Sequence, residues 1–162
     1  MATDREILKD AQTGQANSLP LASAAKDAVA AAHTRQYNWP KTGTENGDTN
    51  VAEIAMFVVN RKGKVKTVKY LTGTTASHNA THYTYFTVSK RTAAAAAVVV
   101  ASYNTHTSAQ GTITGNTTAS FSVVDGDNSA ITAGDTLHYQ LLKVANGVTI
   151  GVGGISVDIE EV

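Results

Sequence analysis

From Val51 onward the chain is cut into short runs of apolar and β-branched residues, each closed by turn chemistry before a helix of useful length could form. The runs are "VAEIAMFVV", "VKTVKYL", "THYTYFTVS", "TASFSVV", "TLHYQLLKV" and "ISVDIEE". Between them stand "RKGK", "DGDNS", "TAGD" and Asn146-Gly147. Stiff β-branched and aromatic side chains fit a pleated surface, and Asp, Asn and Gly supply tight turns. Short strands at this spacing predict an all-β domain over residues 51–162: an antiparallel β-sandwich, jelly-roll-like, or a small barrel.

Individual runs refine the expectation. "VAEIAMFVV" is apolar at both parities, which predicts a strand covered on both sides. "TASFSVV" alternates, with Ala119, Phe121 and Val123 facing in and Thr118, Ser120 and Ser122 facing out. In the last run, Ile155, Val157 and Ile159 share one face. Asn146-Gly147 is a hairpin signal and predicts a return strand through "VTIGV". The conflict lies at "TAAAAAVVVASY", residues 92–103, where five alanines favour helix and three valines favour strand. A helix this short is unstable alone, and consecutive valines lose side-chain freedom in one. A loop near Arg91–Ala94 followed by a strand from Ala96 to Tyr103 is therefore expected.

Residues 1–50 read differently, as an arm and linker. Leu21, Ala25, Val29 and Ala32 share one helical face and Ser18 stands where a cap would. That predicts a short helix over "PLASAAKDAVAAAH" whose thin stripe needs a partner surface. "QYNWPKTGTENGDTN" reads as a turn-rich linker carrying Pro40 and the only tryptophan, Trp39.

Composition excludes several functions. The 13 basic and 13 acidic residues cancel, unlike the basic excess of a general nucleic-acid binder. Cysteine is absent, so disulfides, thiolate metal sites and cysteine nucleophiles are excluded. "MATDREILKD" reads as no secretory leader, and no apolar run approaches the roughly 20 residues of a membrane helix. Synthesis in a cytoplasm without membrane insertion is expected, and Asn79 and Asn116 then carry little weight as glycosylation sites.

Chemistry-bearing patterns are sparse. His78 and His82 are four apart, but not on a helix that would align them on a metal. Asp125, Asp127 and Ser129 fall on calcium-loop positions, while Ala130 and Thr136 stand where the loop's Gly and Glu belong. "GVGG" lacks the spacing of a nucleotide-binding loop. Neither a nucleophile motif nor a pair of catalytic carboxylates stands out, so no enzyme and no cofactor is expected. The basic cluster Arg61, Lys62, Lys64, Lys66 and Lys69 reads either as an acidic partner's contact or as an edge hairpin protected by lysines. Leu21, Val29, Tyr37, Trp39, Arg61, Lys62 and Lys64 are the candidate partner-contact residues.

The order of several weak motifs resembles the decoration (cement) and head-fibre proteins of tailed bacteriophages. These motifs are the G-x-V-x-x-V-x-Y unit from Gly63, "NATHYTYFTVS", the small-residue run, A-G-D-x-L at Ala133–Leu137, and the acidic end at Val157–Glu160. The resemblance covers roughly residues 50–162. It implies a sandwich, often a homotrimer, bound to the major capsid protein on the outer surface of the expanded head, with no nucleic-acid or membrane partner. The alternative is a carbohydrate- or receptor-binding module of a fibre or tail. There Tyr83, Tyr85, Tyr103, Tyr139 and Trp39 would form a stacking platform.

Overall fold

The computed structural model describes residues 34–42, 50–106 and 110–161. The expected helix, with Leu21 and Val29, and residues 43–49 of the linker lie outside them. The strands are β1 (Thr34–Lys41), β2 (Val51–Val58), β3 (Gly63–Thr72), β4 (Tyr83–Arg91) and β5 (Val98–Asn104). They continue with β6 (Thr118–Ser120), β7 (Ser122–Val123), β8 (Ala130–Ile131), β9 (Thr136–Val144) and β10 (Gly153–Glu161). One sheet has the order β1-β10-β3-β6, with β8 also paired to β3; the other is β2-β9-β4-β5-β7.

This order is that of a jelly roll. Strands count inward from both ends: β1 lies beside β10, β2 beside β9, β3 beside β6, and β4 beside β5. The pattern is a long antiparallel ribbon wrapped over itself, so successive strands fall in opposite sheets, β4 and β5 excepted. Two local expectations fail for that reason. Asn146-Gly147 is a turn but not a hairpin, because β9 and β10 belong to different sheets and "VTIGV" adds no strand between them. "RKGK" likewise passes the chain from β2 to β3 in the facing sheet. "TASFSVV" divides at Phe121, with β6 on β3 and β7 on β5, while its in-out alternation holds.

The alanine run resolves as β. Ala93 and Ala94 form a turn, with Ala93 at φ 49°, and β5 begins at Val98, two residues later than expected. The linker assignment over Gln36–Lys41 is corrected, since these residues form most of β1. Tyr37 and Trp39 alternate with Gln36 and Asn38, a strand pattern that Pro40 obscures. Proline is tolerated there because β1 is an edge strand.

The core lies between the sheets. Phe86 is its hub, with ring centroids 5.1 Å from Tyr70, 4.9 Å from Phe121 and 6.0 Å from Tyr139. Val65, Val68, Val88, Leu137, Leu141, Ile155, Val157 and Ile159 complete it. Burying each such side chain contributes about 1.5–3 kcal/mol.

Two of the motifs behind the resemblance have a physical basis in the fold. Val65, Val68 and Tyr70 all face inward, although a regular strand would turn Val65 and Val68 to opposite faces. The β3–β10 register shifts between Asp158 and Ile159, so Lys66 is an extra residue and the bulge restores both valines to the core. In A-G-D-x-L, Gly134 takes φ 94°. Buried Asp135 accepts from the Thr92 hydroxyl (2.6 Å) and the Thr132 amide (2.8 Å), and Leu137 is fully buried. Burial pushes the Asp135 carboxyl up, but those hydrogen bonds and nearby Lys90 outweigh it and hold it below the usual range.

Candidate functional site

The basic cluster does not lie on an edge hairpin. β3 is flanked by β10 on one side and by β6 and β8 on the other, and the acidic end of β10 neutralises part of it. Lys66 pairs with Glu160 at 3.0 Å and Arg61 with Glu161 at 3.2 Å; Arg35 also reaches Glu161. Lys64 stands opposite Glu160 in the register, and Lys62 is exposed. The acidic terminus therefore supplies counter-charges to Arg61 and Lys66. Exposed pairs of this kind contribute about 0–1 kcal/mol each.

Tyr37 and Trp39 are both half-buried against the core. The Tyr37 ring stacks on Phe57 at 4.6 Å, and its hydroxyl donates to Asn60 at 3.1 Å. That contact ties the β1 edge of one sheet to the β2 edge of the other. Lys41, fully buried, donates to the carbonyls of Ile150 (3.4 Å) and Gly151 (3.1 Å). The Tyr70 hydroxyl also donates to Gly151, at 2.5 Å, and burial raises its pKa to about 12.

The aromatic platform of the glycan-binding alternative is not assembled. Tyr103 and Tyr139 are buried in the core. Tyr83 and Tyr85 lie on β4, with Tyr83 against the His106 ring from the turn after β5, whereas Trp39 belongs to the other sheet.

Three surface features remain. The first is apolar exposure on the second sheet. The expectation that β2 is covered on both sides is corrected: Val58 is 61% exposed and Ile54 38%. Tyr85 and Leu142, paired across β4 and β9, and Val99 on β5 are exposed as well.

The second is a polar cluster on that sheet around Glu53. Its carboxylate accepts from Arg91 (Nε, 2.9 Å) and Ser89 (3.1 Å), with His138 at 3.8 Å. The Arg91 hydrogen bonds hold Glu53 below the ordinary carboxylate range against its partial burial. Ser89 donates its hydroxyl to the carboxylate, and His138 Nε2 lies 2.7 Å from the Thr136 hydroxyl.

The third is a groove of about 600 Å³ on the first sheet, lined by β1, β10, β3 and Thr118. Sequence reasoning missed it, because its floor is the glycine pair Gly153-Gly154 and glycine carries no chemical signal. The calcium-like loop forms a short 3-10 turn, Gly126–Asn128, closed by the Ser129 hydroxyl on the Gly126 carbonyl.

No family model and no curated protein matches this sequence. Among solved structures, the fold is similar to a chain of the structure of infectious bursal disease virus Gx strain. The TM-score is 0.43 and the identity 10%, over 79% of this chain and 32% of that one. This chain thus spans about a third of the length of its structural neighbour. The likeness is remote, and the functional reading below does not rest on it.

Proposed function

We propose that this chain is a non-enzymatic structural protein of a virion: a decoration protein that binds the outer surface of an expanded phage head as a homotrimer, with the major capsid protein as partner. The observation that carries the proposal is the apolar exposure of the second sheet. On β2, Val58 is exposed on the outer side opposite Thr136, while Ile54, opposite buried Tyr139, is partly exposed at the sheet edge. Tyr85, Val99 and Leu142 extend the exposure along the same sheet. Large apolar side chains left bare on one sheet mark a surface that a partner covers. The order of motifs along the chain supports the same reading. So, as an analogy of fold alone, does the jelly roll, which occurs in viral capsid and lectin domains.

Three copies on a shell would bind through avidity, the second and third contacts being intramolecular. Such a role needs area rather than a catalytic pocket. The test is co-sedimentation of the purified protein with expanded heads of its own phage, alongside its solution mass. Binding, heads more resistant to heat, and a mass three times the 16.9 kDa chain are expected. Val58→Asp with Leu142→Asp should abolish binding while the monomer stays folded, since both side chains face outward. The proposal fails if wild-type protein does not co-sediment and the heads are equally stable without it.

A further inference from the structure

The groove on the first sheet has an apolar floor and unspent polar groups on its walls. Gly154 leaves the floor open, since a Cβ built there meets nothing within 4 Å. Leu71, 49% exposed, and Pro40 supply apolar walls. Above them, Lys69 has no hydrogen bond or ion pair among the described residues, whereas Lys66 and Arg61 of the same basic run are paired. The Ser156 hydroxyl, opposite Lys69 in the strand register, is buried without a hydrogen-bond partner. Buried hydroxyls in folded proteins are nearly always satisfied, so an orphan beside a cavity points to something that enters it.

The other cleft contrasts with this groove. Its space of about 320 Å³ is lined by Tyr103, Gln110 and several threonines, and Tyr103, Gln110 and Thr117 spend their polar groups internally. Tyr103 donates to the Gln110 carbonyl, Gln110 to Ser102 and Ser122, and Thr117 to Thr114.

We infer that the Gly154 groove is a binding site for an acidic peptide segment. An apolar side chain lies over Gly154 against Leu71, and an adjacent carboxylate meets Lys69 and Ser156. The charge selects the class: the groove's one charged liner is a free ammonium, so its complement is an anion. The mostly apolar lining favours a peptide side chain over a sugar, whose hydroxyls would need partners all round. The site is independent of the second sheet and stands whether or not the chain decorates a capsid.

Trp39 lines the groove and is the only tryptophan, so its emission reports occupancy. The full chain is titrated with Ac-Leu-Glu-Gly-amide. Ac-Leu-Gln-Gly-amide, Ac-Gly-Glu-Gly-amide and N-acetylneuraminic acid serve as comparisons. Saturable binding with a Kd of about 0.1–1 mM is expected for the first peptide, with the glutamine peptide about two- to fivefold weaker. Lys69→Gln should weaken it about two- to fivefold, the range of an exposed charge pair. Gly154→Leu should abolish it with circular dichroism unchanged, since the new side chain enters open space. Amide shifts of Gly153 and Gly154 in NMR give an independent readout. The inference is overturned if neither probe saturates by about 10 mM, if the glutamate and glutamine peptides bind equally, or if Gly154→Leu binds as wild type. Binding of the acidic sugar alone would also overturn it and reassign the groove to glycans.

Discussion

Gly153 and Gly154 are neighbours in β10, and the structure assigns them opposite responses to one methyl group. A Cβ on Gly153 would lie 2.2 Å from the Leu71 carbonyl oxygen and 2.7 Å from the Tyr70 ring. One obstacle is backbone in the paired strand; the other is a ring buried against Phe86 whose hydroxyl is anchored on Gly151. Neither yields without moving β10 from β3. Overpacking of this kind costs about 1–3 kcal/mol, and losing the Tyr70 hydrogen bond adds about 1 kcal/mol. For Gly153→Ala we expect a loss of about 2–4 kcal/mol. The same change at Gly154 meets nothing. It removes freedom from the unfolded chain and should stabilise by about 0.4–1 kcal/mol. Urea unfolding followed by Trp39 emission measures both variants, with unchanged m-values as the check that only stability moved. At about 3 °C per kcal/mol for a chain of this size, the melting temperatures should differ by about 10 °C. Equal stability of the two variants would refute the close approach of β10 to β3 and the open floor of the groove together.

Asp135→Asn should destabilise by about 1–3 kcal/mol at neutral pH by weakening two buried charge-assisted hydrogen bonds. The folded-state pKa of Asp135 is depressed, so its contribution is present above the unfolded value near 4 and disappears as pH falls through the folded one. The gap between wild type and variant in urea titrations should close on acidification; a gap constant from pH 7 to 2 would contradict this. Phe86→Ala should cost about 3–5 kcal/mol, and calorimetry giving under about 1 kcal/mol would remove Phe86 as the hub of the core. Deleting residues 1–33 should leave the sandwich folded and weaken attachment to heads. Extending the deletion through residue 45 removes β1 and should lower the melting temperature, with identical curves for the two truncations counting against β1 as a sheet strand.

Much of the sandwich was legible because burial imposes a period of two on strands. The faces of β6, β7 and β10 follow from alternation alone, and the valines of residues 98–100 outweighed the preceding alanines for a local steric reason. β1 was missed because Pro40 reads as a breaker, and only the place of β1 at a sheet edge makes that proline acceptable. The candidate contacts were legible as residue types rather than as partners. Arg61 and Lys64 lie about 100 residues from the acids facing them, and local spacing does not encode such pairings. Tyr37 and Trp39 were singled out as candidate partner contacts; both are half-buried against the core, and Trp39 also borders the groove.

Local chemistry established that this chain is all β, where most of its strands run, which faces they bury, and that thiol chemistry is absent. The jelly-roll order, the bulge at Lys66, the uncovered side of β2 and the groove over Gly154 came from the packing of the two sheets. Side-chain alternation records only whether a residue faces in or out. Which strand lies beside it, and what is left without a partner, depends on contacts between residues far apart in the chain.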